Sequence, residues 1–137
     1  MKHYILLFTI VLMQSAVVQA QDFDLEKNNY LVLSKNIKQL KPILQTAIEL
    51  KIEDGRSFGD FIVIICGSTV QDIPDNNSFE KLLKEAQNNR IAIYGCGLSL
   101  DKFKVNIQKL PKNLQITKNG ILFGFQLSKK GFVTLII

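Results

Sequence analysis

Two cysteines carry the strongest nucleophilic chemistry in this sequence, and each follows an apolar run and precedes a glycine. Cys66 ends the run Phe61–Cys66 ("FIVIIC"), and Cys96 lies between Gly95 and Gly97 in "IYGCGLSL". A glycine can adopt φ > 0 and leaves room beside a neighbouring sulfur. A thiol whose pKa is depressed can act as a nucleophile or carry a persulfide. Each sulfur is therefore a candidate reactive group, a candidate buried structural thiol and a candidate half of a disulfide.

The favoured alternative differs between the two cysteines because they occupy different positions in the chain. Cys96 comes a few residues before a predicted helix start at Ser99, where free N–H groups favour a thiolate, as would Lys102 or Lys104 if they fold back. Its alternative is a small buried residue in a tight turn. For Cys66, at the end of an apolar run, a buried structural thiol is favoured. A disulfide between them would close a loop of about thirty residues, stabilise the fold by about 3 to 4 kcal/mol, and remove any thiol-based function.

The first twenty residues have the pattern of a secretory signal peptide. A basic residue, Lys2, precedes the ten-residue apolar run Tyr4–Met13, and a small-residue tail ends at Ala20. That run is too short to cross a membrane, which takes about twenty apolar residues. We expect a signal peptide over residues 1–20, a flexible arm over 21–28 and a single α/β domain over 29–137. The protein is expected to be exported, either to a periplasm or out of the cell.

Cleavage removes the only histidine, His3. A Ser-His-Asp triad, a Cys-His pair and a histidine-ligated metal are then excluded within one chain. Two cysteines are too few for a four-thiolate zinc site. The net charge of +5 comes from scattered lysines without interleaved aromatic residues, so we expect a solvated cationic surface and no nucleic-acid partner. We also expect no cofactor, no metal and no membrane contact after cleavage.

Short apolar runs alternate with stretches of helical period along the rest of the chain. The predicted strands are Tyr30–Leu33, Phe61–Cys66, Arg90–Tyr94, Leu114–Thr117 and Phe132–Ile137. The predicted helices start near Gln39, at a Ser78 cap, at a Ser99 cap and at Asn119, and a polar loop is expected over Ile52–Asp60. This alternation predicts a three-layer α/β/α sandwich with a five-stranded, mainly parallel sheet. Both cysteines then lie at the carboxyl edge of the sheet, where such folds bind ligands.

The order of these motifs resembles the DsrE/DsrF-like family from about Tyr30 to Ile137. The most specific parts are Cys96–Ser99 after the third strand and an ending with Gly120, Gln126 and Lys130-Gly131 before an aromatic-led strand. The resemblance implies the three-layer fold, assembly into homo-trimers or hexamers, and in some members a persulfide on a cysteine at the position of Cys96.

The resemblance further implies a sulfur-handling site. Cys96 would accept a sulfane sulfur and pass it to an acceptor thiol, with Cys66 as the partner thiol where relatives often have a histidine. The residues expected to shape the site are Gly67, Gly95, Gly97 and Ser99. We therefore expect an exported persulfide carrier or sulfurtransferase that works with a donor or acceptor protein. The alternative is a non-catalytic binding or assembly module with a structural Cys66–Cys96 disulfide.

Overall fold

Five parallel strands form one sheet in the computed structural model, which describes residues 26–137. The strands are β1 (Asn28–Ser34), β2 (Phe58–Ile65), β3 (Ile91–Cys96), β4 (Gln115–Thr117) and β5 (Val133–Ile136), in the spatial order β4-β3-β2-β1-β5. The helices are α1 (Leu40–Asp54), α2 (Asn77–Asn88), α3 (Gly97–Lys102) and α4 (Gly120–Lys129). The predicted fold class is confirmed, and every strand pair is parallel.

The central strand β2 is apolar at successive positions because helices cover both of its faces. Phe61, Val63 and Ile65 pack in the core under α1 and α2, whereas Ile62 and Ile64 pack in the smaller core under α4. Each of these five side chains is at most 9 % exposed. The sheet is therefore fixed on both sides, which holds the carboxyl ends of its strands in place.

The register of β2 against β3 places the two cysteines side by side. Ile64 pairs with Tyr94 and Ile65 pairs with Gly95. One residue further along each strand, Cys66 and Cys96 both join the core cluster under α4. This follows from the two-residue side-chain period of a strand, since a one-residue slip would turn one sulfur toward the opposite face.

The structure corrects two predicted boundaries. The cap of α2 is Asn76 and not Ser78, because the Asn76 side-chain oxygen accepts the Phe79 N–H at 3.0 Å. Ile52–Asp60 is not a loop, since its first three residues end α1 and its last three begin β2. Only a single turn of 3₁₀ helix over Gly55–Ser57 separates them.

The start of α4 agrees with the prediction. Asn119 caps the helix by accepting the N–H groups of Ile121 and Leu122 at 3.1 and 3.0 Å. Gly124 then lets the helix approach β1, since a Cβ there would lie 3.2 Å from the Leu33 side chain. The cap and the close approach together bring the first turn of α4 against the carboxyl ends of β2 and β3.

The proposed signal peptide over residues 1–20 lies outside the described residues, as does the proposed arm up to residue 25. Asn28, the last residue of that arm, begins β1. Within residues 26–137 there is no helix with the length and apolar character needed to span a membrane.

Candidate thiol site

Cys66 and Cys96 flank the first residue of α4. A Cβ added at Gly120 would lie 3.0 Å from the Cys66 Sγ, 3.0 Å from the Cys96 Cβ and 2.9 Å from a methyl group of Ile64. Only a glycine fits in this space without displacing a neighbour. The backbone N–H of Gly120 donates a hydrogen bond to the Cys96 Sγ at 3.3 Å. The glycine therefore gives Cys96 a backbone donor that a larger residue would push away.

Several groups around the Cys96 sulfur favour its thiolate form. Burial acts to raise the pKa of Cys96, but the Ser99 hydroxyl, the Gly120 N–H and the Cys66 thiol stabilise the charged form and outweigh burial, so the pKa lies below its ordinary value. The residue as a whole is 2 % exposed, and its sulfur faces a cleft. A buried cysteine without such donors would have a raised pKa and would be inert.

The pKa of Cys66 shifts in the opposite direction. Burial, and next the neighbouring Cys96 sulfur, raise the pKa of the Cys66 thiol to about 12, and the positive charge of Lys35 offsets this only in part. Cys66 therefore keeps its proton at neutral pH. The pKa of Cys96 lies below and that of Cys66 above the ordinary value of a cysteine, and such a separation lets two adjacent titratable groups take different roles.

Ser99 does not cap a helix, contrary to the prediction. Helix α3 begins at Gly97, and Cys96 occupies the cap position immediately before it. Ser99 lies inside α3 and is buried, and its hydroxyl oxygen accepts the Gly67 N–H at 2.9 Å. The hydroxyl therefore links the turn after β2 to the Cys96 side chain at the end of β3, which is a positioning role.

The glycines predicted to shape the site differ in what they do. Gly67 has φ +78°, a conformation that favours glycine, and it turns the chain after Cys66. A Cβ at Gly97 would lie 2.9 Å from the Lys118 carbonyl oxygen, so Gly97 permits the close approach of the turn before α4. Gly95 has only ordinary contacts, with the Leu114 side chain 3.6 Å from the position of a Cβ.

A cleft of about 440 Å³ opens above the two sulfurs. Its apolar walls come from five side chains: Leu33, Leu98, Phe103, Ile121 and Ile136. Lys35 and Lys102 are its charged lining residues. Lys102 lines the cleft and Lys104 does not, and the groups that lower the pKa of Cys96 are Ser99, Gly120 and Cys66 rather than either lysine.

Sequence reasoning missed the roles of Lys35 and of the Gly120 N–H in this site. Lys35 follows β1, so its place at the carboxyl edge follows from the strand order. The signal for Gly120 is the pair Asn119-Gly120, in which a capping residue precedes a glycine. Nothing local in the sequence indicates that this glycine lies between two sulfurs 24 and more residues away.

A larger cleft lies at the opposite edge of the sheet and is lined mainly by charged and polar residues. It has a volume of about 610 Å³, and its charged residues are Lys27, Lys51, Asp60 and Arg90. No cysteine, serine, threonine or tyrosine is among the described residues that line it. Both thiols therefore lie in the smaller cleft, at the carboxyl edge.

The two cysteines are free thiols in the structure. The Cys66 Sγ and the Cys96 Cβ each lie 3.0 Å from the position that a Cβ on Gly120 would take, so the two side chains are neighbours. The alternative of a structural disulfide therefore stays a prediction, which depends on the proposed export to an oxidising compartment.

Comparisons with known proteins support the fold class and do not identify the family. No family model matches the chain. Hemolysin C of Brachyspira hyodysenteriae is 32 % identical over 87 residues, which take in 61 % of this chain and 31 % of that protein. The chain thus spans under a third of the length of this curated relative. The structure of a protein of unknown function, MTH1491 from Methanobacterium thermoautotrophicum, matches 82 % of this chain and all of that chain, with a TM-score of 0.65 and 10 % identity. This likeness supports the α/β fold.

Proposed function

We propose that this protein is an exported DsrE-like sulfur carrier or sulfurtransferase in which Cys96 holds the persulfide. The observation that carries the proposal is the separation of the two thiols, one with a lowered and one with a raised pKa, at the floor of a cleft. The proposed family rests on the motif resemblance and on the α/β fold, which the chain shares with MTH1491. The export rests on the signal-peptide pattern of residues 1–20.

In the proposed reaction the Cys96 thiolate attacks the outer sulfur of a sulfane donor. A new S–S bond forms at Cys96, and the donor's own S–S bond breaks, so that the remainder of the donor leaves with the electron pair. The Ser99 hydroxyl and the Gly120 N–H hold the attacking sulfur as an anion. Cys66 stays protonated beside it and does not compete for the donor. An acceptor thiolate then removes the outer sulfur and restores the Cys96 thiolate.

Intact-mass spectrometry of the reduced protein tests this proposal. Incubation with a sulfane donor should add the mass of one sulfur atom to the wild type and to Cys66→Ser, and nothing to Cys96→Ser. The Cys66→Ser variant is the matched control, because it removes the neighbouring sulfur and keeps the proposed nucleophile. Equal gain in Cys96→Ser and wild type would refute the assignment of the persulfide to Cys96.

The binding or assembly module with a Cys66–Cys96 disulfide is the competing function. Titration of free thiols in the exported protein separates the two. Two sulfurs that react only after reduction and unfolding would favour the module, and one fast and one slow thiol would favour the carrier.

We also propose that the protein forms a homo-oligomer through the surface of α4 and β5. Exposed apolar side chains concentrate there: Ile121, Leu122, Phe125, Val133, Leu135 and Ile136, each at least 53 % exposed. An apolar edge strand of this kind favours pairing with another chain. Light scattering coupled to size-exclusion chromatography would test this, and a monomer at micromolar concentration would contradict it.

The partial likeness to Hemolysin C favours a second candidate, lysis of cell membranes. The same apolar surface of α4 and β5 would then contact lipid. Haemoglobin release from erythrocytes tests this candidate independently of the thiols, because lysis should be unchanged in Cys96→Ser and reduced in Phe125→Glu. Absence of haemoglobin release by the wild type would refute it.

A further inference from the structure

The cleft above Cys96 is far larger than a single sulfur atom requires. Its volume is about 440 Å³, and five of its eleven lining residues have large apolar side chains. Ligand sites of this size commonly combine apolar walls with a few polar groups that fix the orientation of the ligand. The walls thus fit a donor that brings an apolar body along with its sulfur.

The charge at the cleft is of one sign. Lys35 and Lys102 line it, and no acidic residue does so among the described residues. The Lys102 Nζ lies 5.6 Å from the centroid of the Phe103 ring. The positive charge of Lys35 acts to lower the pKa of Cys66 and offsets part of the rise that burial causes. The Lys35 charge, which acts on the Cys66 sulfur, and the Lys102 charge in the same cleft favour an anionic ligand.

We propose that the sulfur donor is an organic thiosulfonate anion, whose apolar body packs against Leu98 and Ile121 and whose sulfonyl oxygens face Lys35 and Lys102. This inference rests on the proposed sulfur-carrier function and names its substrate class. Leu98 lies on α3 and Ile121 on α4, and both line the cleft together with the two cysteines. An aromatic or short alkyl body fits between them.

The step balances without another reactant. The Cys96 thiolate attacks the outer sulfur of the thiosulfonate, and a Cys96 S–S bond forms while the bond from that sulfur to the sulfonyl sulfur breaks. The electron pair of the broken bond leaves with the sulfinate. Two monoanions react and two monoanions, the persulfide and the sulfinate, are produced. No oxidant, reductant or proton is consumed.

A donor series tests the apolar part. The three donors are benzenethiosulfonate, methanethiosulfonate and thiosulfate. All three transfer an outer sulfur atom, but the first carries a phenyl group, the second a methyl group and the third no organic group. Burial of most of a phenyl group should make the KM for benzenethiosulfonate about tenfold lower than that for methanethiosulfonate. Equal KM values for all three donors would overturn the proposal.

Two pairs of variants locate the effect in the cleft. Leu98→Ser should remove most of the preference for the phenyl donor, whereas Ile107→Ser, an exposed apolar residue outside the cleft, should keep it. Lys102→Gln should weaken binding of both thiosulfonates severalfold and reduce its salt dependence. Lys84→Gln, which removes the same charge from α2, should not. Equal effects within either pair would refute the placement of the ligand.

Binding of the non-reactive product separates this inference from the proposed function. Calorimetry with Cys96→Ser should show benzenesulfinate binding about tenfold more tightly than methanesulfinate. That preference without persulfide formation in the wild type would refute the sulfur-carrier function and keep the cleft assignment. Persulfide formation together with equal or undetectable sulfinate binding would refute only the thiosulfonate assignment.

Discussion

Substitution of Gly120 by alanine tests the packing of the thiol site most severely. The added Cβ would lie 2.9 Å from an Ile64 methyl group, 3.0 Å from the Cys66 Sγ and 3.0 Å from the Cys96 Cβ. All three neighbours are at most 8 % exposed and belong to strand ends or to the residue after one, so none can move aside freely. Overpacking of a core costs about 1–3 kcal/mol. The helix preference of alanine over glycine, up to about 1 kcal/mol, offsets part of this.

We therefore expect Gly120→Ala to lower the free energy of unfolding by about 1–2 kcal/mol, measured by urea denaturation. The same change should push the Gly120 N–H away from the Cys96 sulfur and so raise the pKa of Cys96. The pH dependence of alkylation at Cys96 measures that shift.

Gly95→Ala is the matched control, because a Cβ there meets nothing closer than 3.6 Å. Its stability should equal that of the wild type or exceed it by about 0.5 kcal/mol. If Gly120→Ala proves as stable as Gly95→Ala, with unchanged alkylation of Cys96, the account of the site as a glycine-dependent contact of two sulfurs and a backbone donor is wrong.

Three further predictions concern the thiolate, the alkaline limit of the fold and its assembly. Ser99→Ala removes the hydroxyl that stabilises the Cys96 thiolate, so alkylation of Cys96 at pH 7 should slow severalfold, and an unchanged pH–rate profile would contradict this. The hydrogen bond from the Tyr30 hydroxyl to Asp54 at 2.7 Å, with burial second, raises the pKa of Tyr30 from 10.0 to about 12. The folded chain then holds a proton that the unfolded chain loses, so stability should fall between about pH 10 and 12. Tyr30→Phe should flatten that fall and cost about 1 kcal/mol at pH 7, both read from urea denaturation curves. Phe125→Glu should convert the proposed oligomer into monomers in light scattering, and an unchanged mass would exclude the α4 surface as the interface.

The fold could be predicted because each element has a local signal. The unbroken run Phe61–Cys66 indicates a strand covered on both faces, and Asn119 before an apolar stretch indicates a helix start. The fold class and strand count followed from the order of such signals and are confirmed. The predicted boundaries of the elements were less accurate. At Ile52–Asp60, for example, α1 ends and β2 begins with only one helical turn between them.

The site could be predicted only in outline. The place of both cysteines at the carboxyl edge could be predicted from the ends of the apolar runs, whereas their side-by-side alignment comes from the register of β2 against β3. The role of Ser99 could not be read, because its hydroxyl accepts an N–H from Gly67, 32 residues away. The same holds for the Gly120 N–H, whose acceptor is 24 residues away. Contacts of this kind depend on the packing of α4 against the strand ends, which no local pattern specifies.

The central claim is that Cys96, and not its neighbour, carries the sulfur. Persulfide-specific labelling of the donor-treated protein, followed by peptide mapping, tests it directly. The account predicts label on the peptide that contains Cys96 at neutral pH, and none on the peptide that contains Cys66, whose thiol has a pKa of about 12. Label on Cys66, or equal label on both peptides, would contradict it.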